Sequence, residues 1–286
     1  MPFAPINNIY DHRSRIKPTV SRSDYIFIDT QFESELNRLQ QLEKIHDYLS
    51  QRQILATGIT TGWQCLEIGA GAGSIMRWMS DQVGASGGVT AVDLDTRFVK
   101  DIQLANVEVI EANIHQLTLN KLFDLVHIRH VLIHQINTTL LNTILELLKP
   151  GGWLVIEEPD FSATRFISGT SVQQQAVTKI NQAICQMFAN QGKDYALGLK
   201  LPSLLQQLDF QNLQIINDVP IVAGNSDIAI LMKLSAKQLA QKYLATGKAT
   251  QADIETYCQW TEDSSAWAIY LATVSAIAQK PNQTAT

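Results

Sequence analysis

The sequence predicts an α/β fold: a doubly wound, mainly parallel sheet with helices on both faces. Three observations carry this expectation. Short apolar runs of strand length alternate with amphipathic segments from residue 63 to residue 160. Three glycines within five positions, Gly69, Gly71 and Gly73, follow the first of those runs. Polar residues gather where the runs end: Glu67, Asp93, Asn113, His127 to His130, and Glu157 to Asp160. Strands alternating with helices at this spacing build right-handed βαβ units. Such sheets bind ligands at the carboxyl ends of their strands.

The elements follow in order. Residues 1–22 read as a loose arm. Residues 31–55 place Leu36, Leu39, Leu42, Ile45 and Leu49 at helical spacing, an amphipathic helix. "WQCLEIG" (63–69) is a strand and "SIMRWMSDQV" (74–83) a helix ending before Gly84. "GVTAVDLD" (88–95) is a strand, "TRFVKDIQLA" (96–105) a helix, and "VEVIEAN" (107–113) and "FDLVHIR" (123–129) are strands. A helix over 137–148 is stopped by "KPGG", and "WLVIEEPD" (153–160) is the fifth strand. Beyond it, residues 171–190 read as an amphipathic helix and "LPSLLQQLDF" as a short helix opened by Pro202. Residues 211–222 read as a strand, 226–247 as helical, and Trp267 to Ala278 as the last strand.

Bulk properties narrow the function. A chain of 286 residues with 45% hydrophobic and 17% charged residues suits one large α/β domain with insertions. The formal net charge is −5, and the densest basic stretch is the short "HRSRIK" (His12 to Lys17), which argues against nucleic acid as a partner. Cys65, Cys185 and Cys258 lie far apart, so neither a disulfide framework nor a zinc cluster is expected and a reducing cytoplasm fits. His130 and His134 have an H-x-x-x-H spacing, but no glutamate follows His130, so no metal is expected. The N-terminal stretch lacks the apolar core of a signal peptide, and "AWAIYLATVSAIA" (Ala266 to Ala278) is too short to span a bilayer. No membrane partner is expected, and a homodimer is left open.

The glycine turn has two readings. A dinucleotide site wants G-x-G-x-x-G, and here the third position is Ser74, with Gly73 one place early. Glu67, two residues before the first glycine, would repel a pyrophosphate but suits a ligand carrying a cationic amino group. On these residues the chain resembles the class I S-adenosylmethionine-dependent methyltransferases, in the branch that acts on small molecules. "LEIGAGAG" is similar to their E/D-x-G-x-G-x-G loop, "VTAVDLD" to the acidic end of the second strand, and "EANIHQL" to the third motif. "FDLVHIRHVLIH" and "LKPGGWLVIEEPDF" match the fourth strand and the turn into the fifth, and "YIFIDTQFESELNRL" resembles a cap before the core. The resemblance is strong over about residues 25–160.

The resemblance implies a Rossmann-like methyltransferase fold with seven strands, the last antiparallel. It implies an arm and helical cap over 1–57, and a cofactor-binding domain over 58–286 with helical lid insertions at about 161–198 and 224–262. S-adenosylmethionine is the implied cofactor and S-adenosylhomocysteine the product. The implied cofactor residues are Tyr25, Arg38, Glu67, Gly69, Ala70, Gly71, Asp93, Leu94, Asn113, Ile114 and Arg129. Asp93 would accept both ribose hydroxyls. Asn113 stands where the family usually has an acid, and would meet the adenine amino group through its carbonyl. Arg129 would act through its backbone, and Arg38 or Arg77 would pair the cofactor carboxylate.

His134 and His130 are the base candidates, since imidazole titrates near neutral pH. Glu157, Tyr195 and Phe161 are the candidates for the acceptor, with Phe166 and Trp267 as further pocket aromatics; Trp78 and Trp153 read as core. Strand alternation sends Glu157 and Glu158 to opposite faces, so at most one faces the site. The function expected is methyl transfer to an oxygen or nitrogen of a small organic acceptor, in specialised metabolism. The alternatives are a non-catalytic, regulatory protein that binds the same cofactor, and an NAD(P)-dependent oxidoreductase.

Overall fold

The computed structural model describes residues 25–27, 30–115, 119–135 and 138–282; the arm expected over residues 1–22 lies outside them. The chain opens with α1 (Phe32–Ala56), β1 (Gln64–Ile68), α2 (Ser74–Val83), β2 (Gly88–Asp93) and β3 (Val107–Glu111). It continues through β4 (Phe123–Arg129), α3 (Leu132–Gln135), α4 (Thr138–Leu147) and β5 (Leu148–Asp160). After residue 160 come β6 (Arg165–Ser168), α5 (Ser171–Asn190), α6 (Leu201–Gln207) and β7 (Gln211–Asp218). The last elements are β8 (Val222–Ala223), α7 (Asp227–Gln238), α8 (Ala240–Ala245), α9 (Gln251–Trp260), β9 (Trp267–Ile269) and β10 (Ala272–Gln279).

Seven strands form one sheet in the order β3-β2-β1-β4-β5-β10-β7. The first five are parallel, and β10 runs antiparallel to both β5 and β7. This is the doubly wound, seven-stranded arrangement expected from the sequence. Strand order reverses at β1 and β4, where a crevice opens at the carboxyl ends. Each face of the sheet packs on its own apolar cluster. One holds Leu66, Val126, Ile128, Leu154 and Ile156, and the other Cys65, Val89, Leu125, Val155 and Ile277. Trp78 and Trp153 pack against the second cluster, as expected. No described helix is long and apolar enough to cross a membrane.

Four expectations need correction. The segment 96–105 forms turns and no helix, with Lys100 N–H to Thr96 O at 2.9 Å and Ile102 N–H to Val99 O at 3.1 Å. Thr96 and Val99 are its only fully buried residues, too narrow an apolar face for the turns to propagate. The run 211–222 divides into β7 and β8 because Pro220 cannot donate to a ladder. The run 267–278 also divides: β9 joins a second sheet, β6-β9-β8, and the chain crosses to β10 in the main sheet at Tyr270 and Leu271. Finally, the buried stripe of α1 is polar. Glu35, Arg38, His46, Ser50 and Gln53 are buried with Ile54, while the leucines of the expected apolar face are half-buried.

Gly224 joins β8 to α7 against the loop that leads into β9. A Cβ there would lie 2.1 Å from the Asp263 carbonyl oxygen. Gly224→Ala should therefore lower the unfolding free energy by about 1–3 kcal/mol, read from the midpoint of urea denaturation. Gly192→Ala meets no atom within 4 Å and bears only the cost of its positive φ of 67°, so the smaller loss should be there.

Candidate active site

A cavity opens at the carboxyl ends of β1, β2, β4 and β5, between α1 and the helices that follow residue 160. The glycine turn forms part of its wall. Gly69 (φ +83°), Gly71 (+55°) and Gly73 (+91°) occupy the left-handed region. At Gly69 a Cβ would also lie 2.2 Å from Cγ2 of Val131, so the approach of the β4–α3 link requires glycine independently. The Gly71 N–H donates to Asp93 Oδ2 at 2.9 Å, and the Asp95 N–H donates to Asp93 Oδ1 at 2.9 Å. Burial pushes the Asp93 carboxyl up to about 6, against these two bonds. Helix α2 starts at the end of the turn, and α1 supplies its anions. The Ser74 N–H donates to Glu43 Oε1, and its hydroxyl to Asp47 Oδ1, each at 2.9 Å.

Below α1 lies a buried ionic set. Parallel register places Glu67 beside His127, and Arg129 beside Glu157. His127 Nδ1 is 2.8 Å from Glu67 Oε2, and its Nε2 is 3.9 Å from Glu157 Oε2. Ser50 donates to Glu157 at 2.6 Å, and Arg129 donates to Ser50 and to Asp47 at 2.9 Å each. Burial alone would strip the proton from His127; the charge of Glu67, with help from Glu157, outweighs it and raises the imidazole to about 9. Burial likewise opposes ionisation of Glu157, yet His127, Arg129 and Ser50 hold it below the ordinary carboxylate value.

Glu158 points to the other face, as alternation requires. Its oxygens accept the backbone N–H groups of Val131, Leu132 and Ile133 at 2.8–3.0 Å. Burial pushes this carboxyl up to about 8. Its work is to fix the start of α3, and so to place His134.

The remaining walls come from the N-terminal segment and from residues after Glu158. Tyr25 donates its hydroxyl to Glu35 at 2.9 Å and accepts from Arg38 at 3.0 Å. Arg38 makes a two-pronged pair with Glu35 (2.9 and 2.7 Å) and lies 3.7 Å above the Phe27 ring. The rings of His46 and His130 meet edge to face at 4.8 Å, and those of His134 and Tyr25 at 5.4 Å. Burial keeps all three imidazoles neutral: His46 falls to about 4, His134 to about 3, and His130 well below its usual value. Nε2 of His130 and Nδ1 of His134 are buried without a hydrogen-bond partner among the described residues.

Of the residues chosen from sequence, the cavity brings together Tyr25, Arg38, Glu67, Gly69, Ala70, Gly71, Asp93, Leu94, Ile114, Arg129, His130, His134 and Phe161. Asn113, Glu157 and Tyr195 are not on its wall. The Asn113 carbonyl accepts the His115 N–H at 3.0 Å, Glu157 faces His127, and Tyr195 packs beside the core. Phe166 stacks on Trp260 at 5.7 Å, and Trp267 stands on the small sheet, 45% exposed. Arg77 donates to the Ala72 carbonyl and does not line the cavity. Sequence reasoning missed Glu43, Asp47 and Ser50. Their signal was a polar stripe at helical spacing along α1, hidden by the leucines beside it. No group of three metal-ligating side chains occurs among the described residues.

The His127 imidazole is raised in the fold, so its stabilisation is complete below about pH 6.5 and is lost as pH rises through about 9. His127→Gln should destabilise the protein by about 3–5 kcal/mol at pH 6, because it leaves carboxylates buried without their cation. The difference from wild type should shrink between pH 6.5 and 9, measured by urea denaturation across that range.

Comparison with known proteins places this geometry. A family model described as a methyltransferase domain matches residues 34–215. A 40-residue stretch is 55% identical to methyltransferase str3 of Strobilurus tenacellus, covering 14% of each chain. Phosphoethanolamine N-methyltransferase 2 of Haemonchus contortus, solved with S-adenosyl-L-methionine, has a similar fold (TM-score 0.57, 19% identity). That match covers 93% of this chain, which spans 61% of the length of the nematode enzyme. Coclaurine N-methyltransferase, solved with N-methylheliamine and S-adenosylhomocysteine, gives a TM-score of 0.53 at 12% identity, covering 92% of this chain and 83% of that one. With a family match over more than half its length and the strand order described above, the chain belongs to the methyltransferase-domain family, with the fold of the class I S-adenosylmethionine-dependent enzymes.

Proposed function

We propose that the cavity holds S-adenosylmethionine and that the protein methylates an oxygen or nitrogen of a small organic acceptor. The observation that carries this reading is Asp93. Its carboxylate ends β2 on the cavity wall, oriented by the Gly71 and Asp95 N–H groups, with the apolar side chains of Leu94 and Ile114 also on the wall. Each oxygen keeps a lone pair for one hydroxyl of a ribose diol, and the apolar neighbours suit a purine. The other end of the donor set agrees. Glu43 occupies the N-terminus of α2, and Glu67 lies below the turn. A pyrophosphate would meet two carboxylates there, whereas an ammonium group is welcome.

In this reading Gly69, Ala70 and Gly71 let the backbone approach the methionine part, and Glu67 receives its ammonium. Arg129 contributes backbone only, because its guanidinium is held by Asp47 and Ser50. Tyr25 and Arg38 close the wall as a pair with Glu35. Bound S-adenosylmethionine supplies a methyl group on a sulfonium sulfur, so that transfer breaks one C–S bond, forms one bond to the acceptor atom, and releases S-adenosylhomocysteine and the acceptor's proton. The chain's own part is to position the acceptor, exclude water and orient the group that loses that proton. His130 and His134, on the cavity wall and kept neutral by burial, are the groups assigned to accept a hydrogen bond from the acceptor as it reacts; burial weakens both as bases, so the proton passes on to solvent.

Calorimetric titration should show micromolar binding of S-adenosylhomocysteine and none of NADH. Asp93→Ala should weaken the former by ten- to a hundredfold, about 1.5–3 kcal/mol for a charge-assisted pair. An unchanged dissociation constant would move the ribose elsewhere.

A further inference from the structure

The cavity walls differ in chemistry according to the part of the chain that supplies them. Every charged side chain on the wall lies between Glu35 and Arg129. Its three arginines are all engaged: Arg38 with Glu35, Arg97 with Asp95, and Arg129 with Asp47. From Pro159 onward, none of the described residues on the wall carries a charge. The lid presents flat and flexible apolar groups instead. Phe161 and Phe188 stack at 5.7 Å with 25° between their planes, and the His134 ring lies 6.1 Å from Phe188. Met187 and Met232 stand on the same wall and can adapt to an irregular outline. The ring nitrogen Nδ1 of His134 is buried and has no hydrogen-bond partner among the described residues.

We infer that the acceptor subsite takes a neutral, flat, largely apolar molecule that presents one hydroxyl group to the imidazole of His134. The inference rests on the cofactor reading above and names the acceptor class for that same site. The cations nearest this side, Lys193 and Lys242, stand off the cavity wall and donate to Gln191 and to the Ile26 carbonyl, so a phosphate ester or carboxylate placed against the wall would touch no counter-ion there, and a charge buried without one is disfavoured. An aromatic hydroxyl would find the Phe161 and Phe188 rings on the same wall as the His134 imidazole, with apolar faces for its ring and an acceptor for its proton. Burial, with the charges of Lys193, Arg38 and Lys242, holds the imidazole neutral, so it can accept a hydrogen bond.

The test is a set of titrations into protein saturated with S-adenosylhomocysteine, using 2-naphthol, naphthalene and phosphoethanolamine as probes. We expect 2-naphthol to bind at least tenfold tighter than phosphoethanolamine and about fivefold tighter than naphthalene, the share of one net hydrogen bond. His134→Phe should erase the difference between 2-naphthol and naphthalene while S-adenosylhomocysteine affinity stays within about twofold of wild type. Phosphoethanolamine binding as tightly as 2-naphthol, or no preference of the wild type for the hydroxyl, overturns the inference and leaves the cofactor reading standing. If His134→Phe does not fold, the three wild-type titrations decide alone. Failure of S-adenosylhomocysteine itself to bind removes the cofactor reading, and the acceptor assignment with it.

Discussion

Beneath α1, the His127 imidazolium sits in the sheet between Glu67 and Glu157, and the geometry of the whole carboxyl edge depends on it. Charges buried in a low-dielectric interior are tolerable only when each finds a partner. The set is therefore completed from outside the sheet. Ser50 of α1 binds Glu157, and Asp47 binds Arg129. The same helix then reaches the glycine turn, where Glu43 and Asp47 take the amide and hydroxyl of Ser74. One helix thus ties β1, β4, β5 and the start of α2 into a single rigid frame.

That frame divides labour between neighbouring residues. Glu157 and Glu158 are adjacent, equally buried and chemically identical, yet one pairs with an imidazolium while the other gathers three backbone N–H groups. Surroundings alone separate them: the cation beside Glu157 favours its carboxylate, and burial raises Glu158 to about 8. Polar groups line the strand-end side of the cavity, and apolar ones the side built from Pro159 onward. The proposed reading, a cofactor rich in hydrogen-bonding groups beside an acceptor kept dry, calls for that contrast.

The strands of the parallel half were legible because short apolar runs and the glycine breaks between them are local properties of the chain. The glycine turn, Asp93 and the two histidines were legible because strand ends are where such folds gather polar groups. The turns within 96–105, the division at Pro220 and the second small sheet were not fully legible. Whether a run continues depends on how much of its face another element buries, and that is a non-local quantity.

The sequence by itself determined the α/β class, the position of the cavity at the strand ends, and the residue that ends β2 facing it. Tertiary structure alone decided that the inward stripe of α1 is polar, that Asn113, Glu157 and Tyr195 stand off the cavity, and that no charge on the described lid faces it. The physical reason is partnership. Spacing tells which side chains share a face, but a carboxylate or imidazole takes its role from the group it meets across the fold. His127, Ser50 and Glu157 come together from three distant parts of the chain.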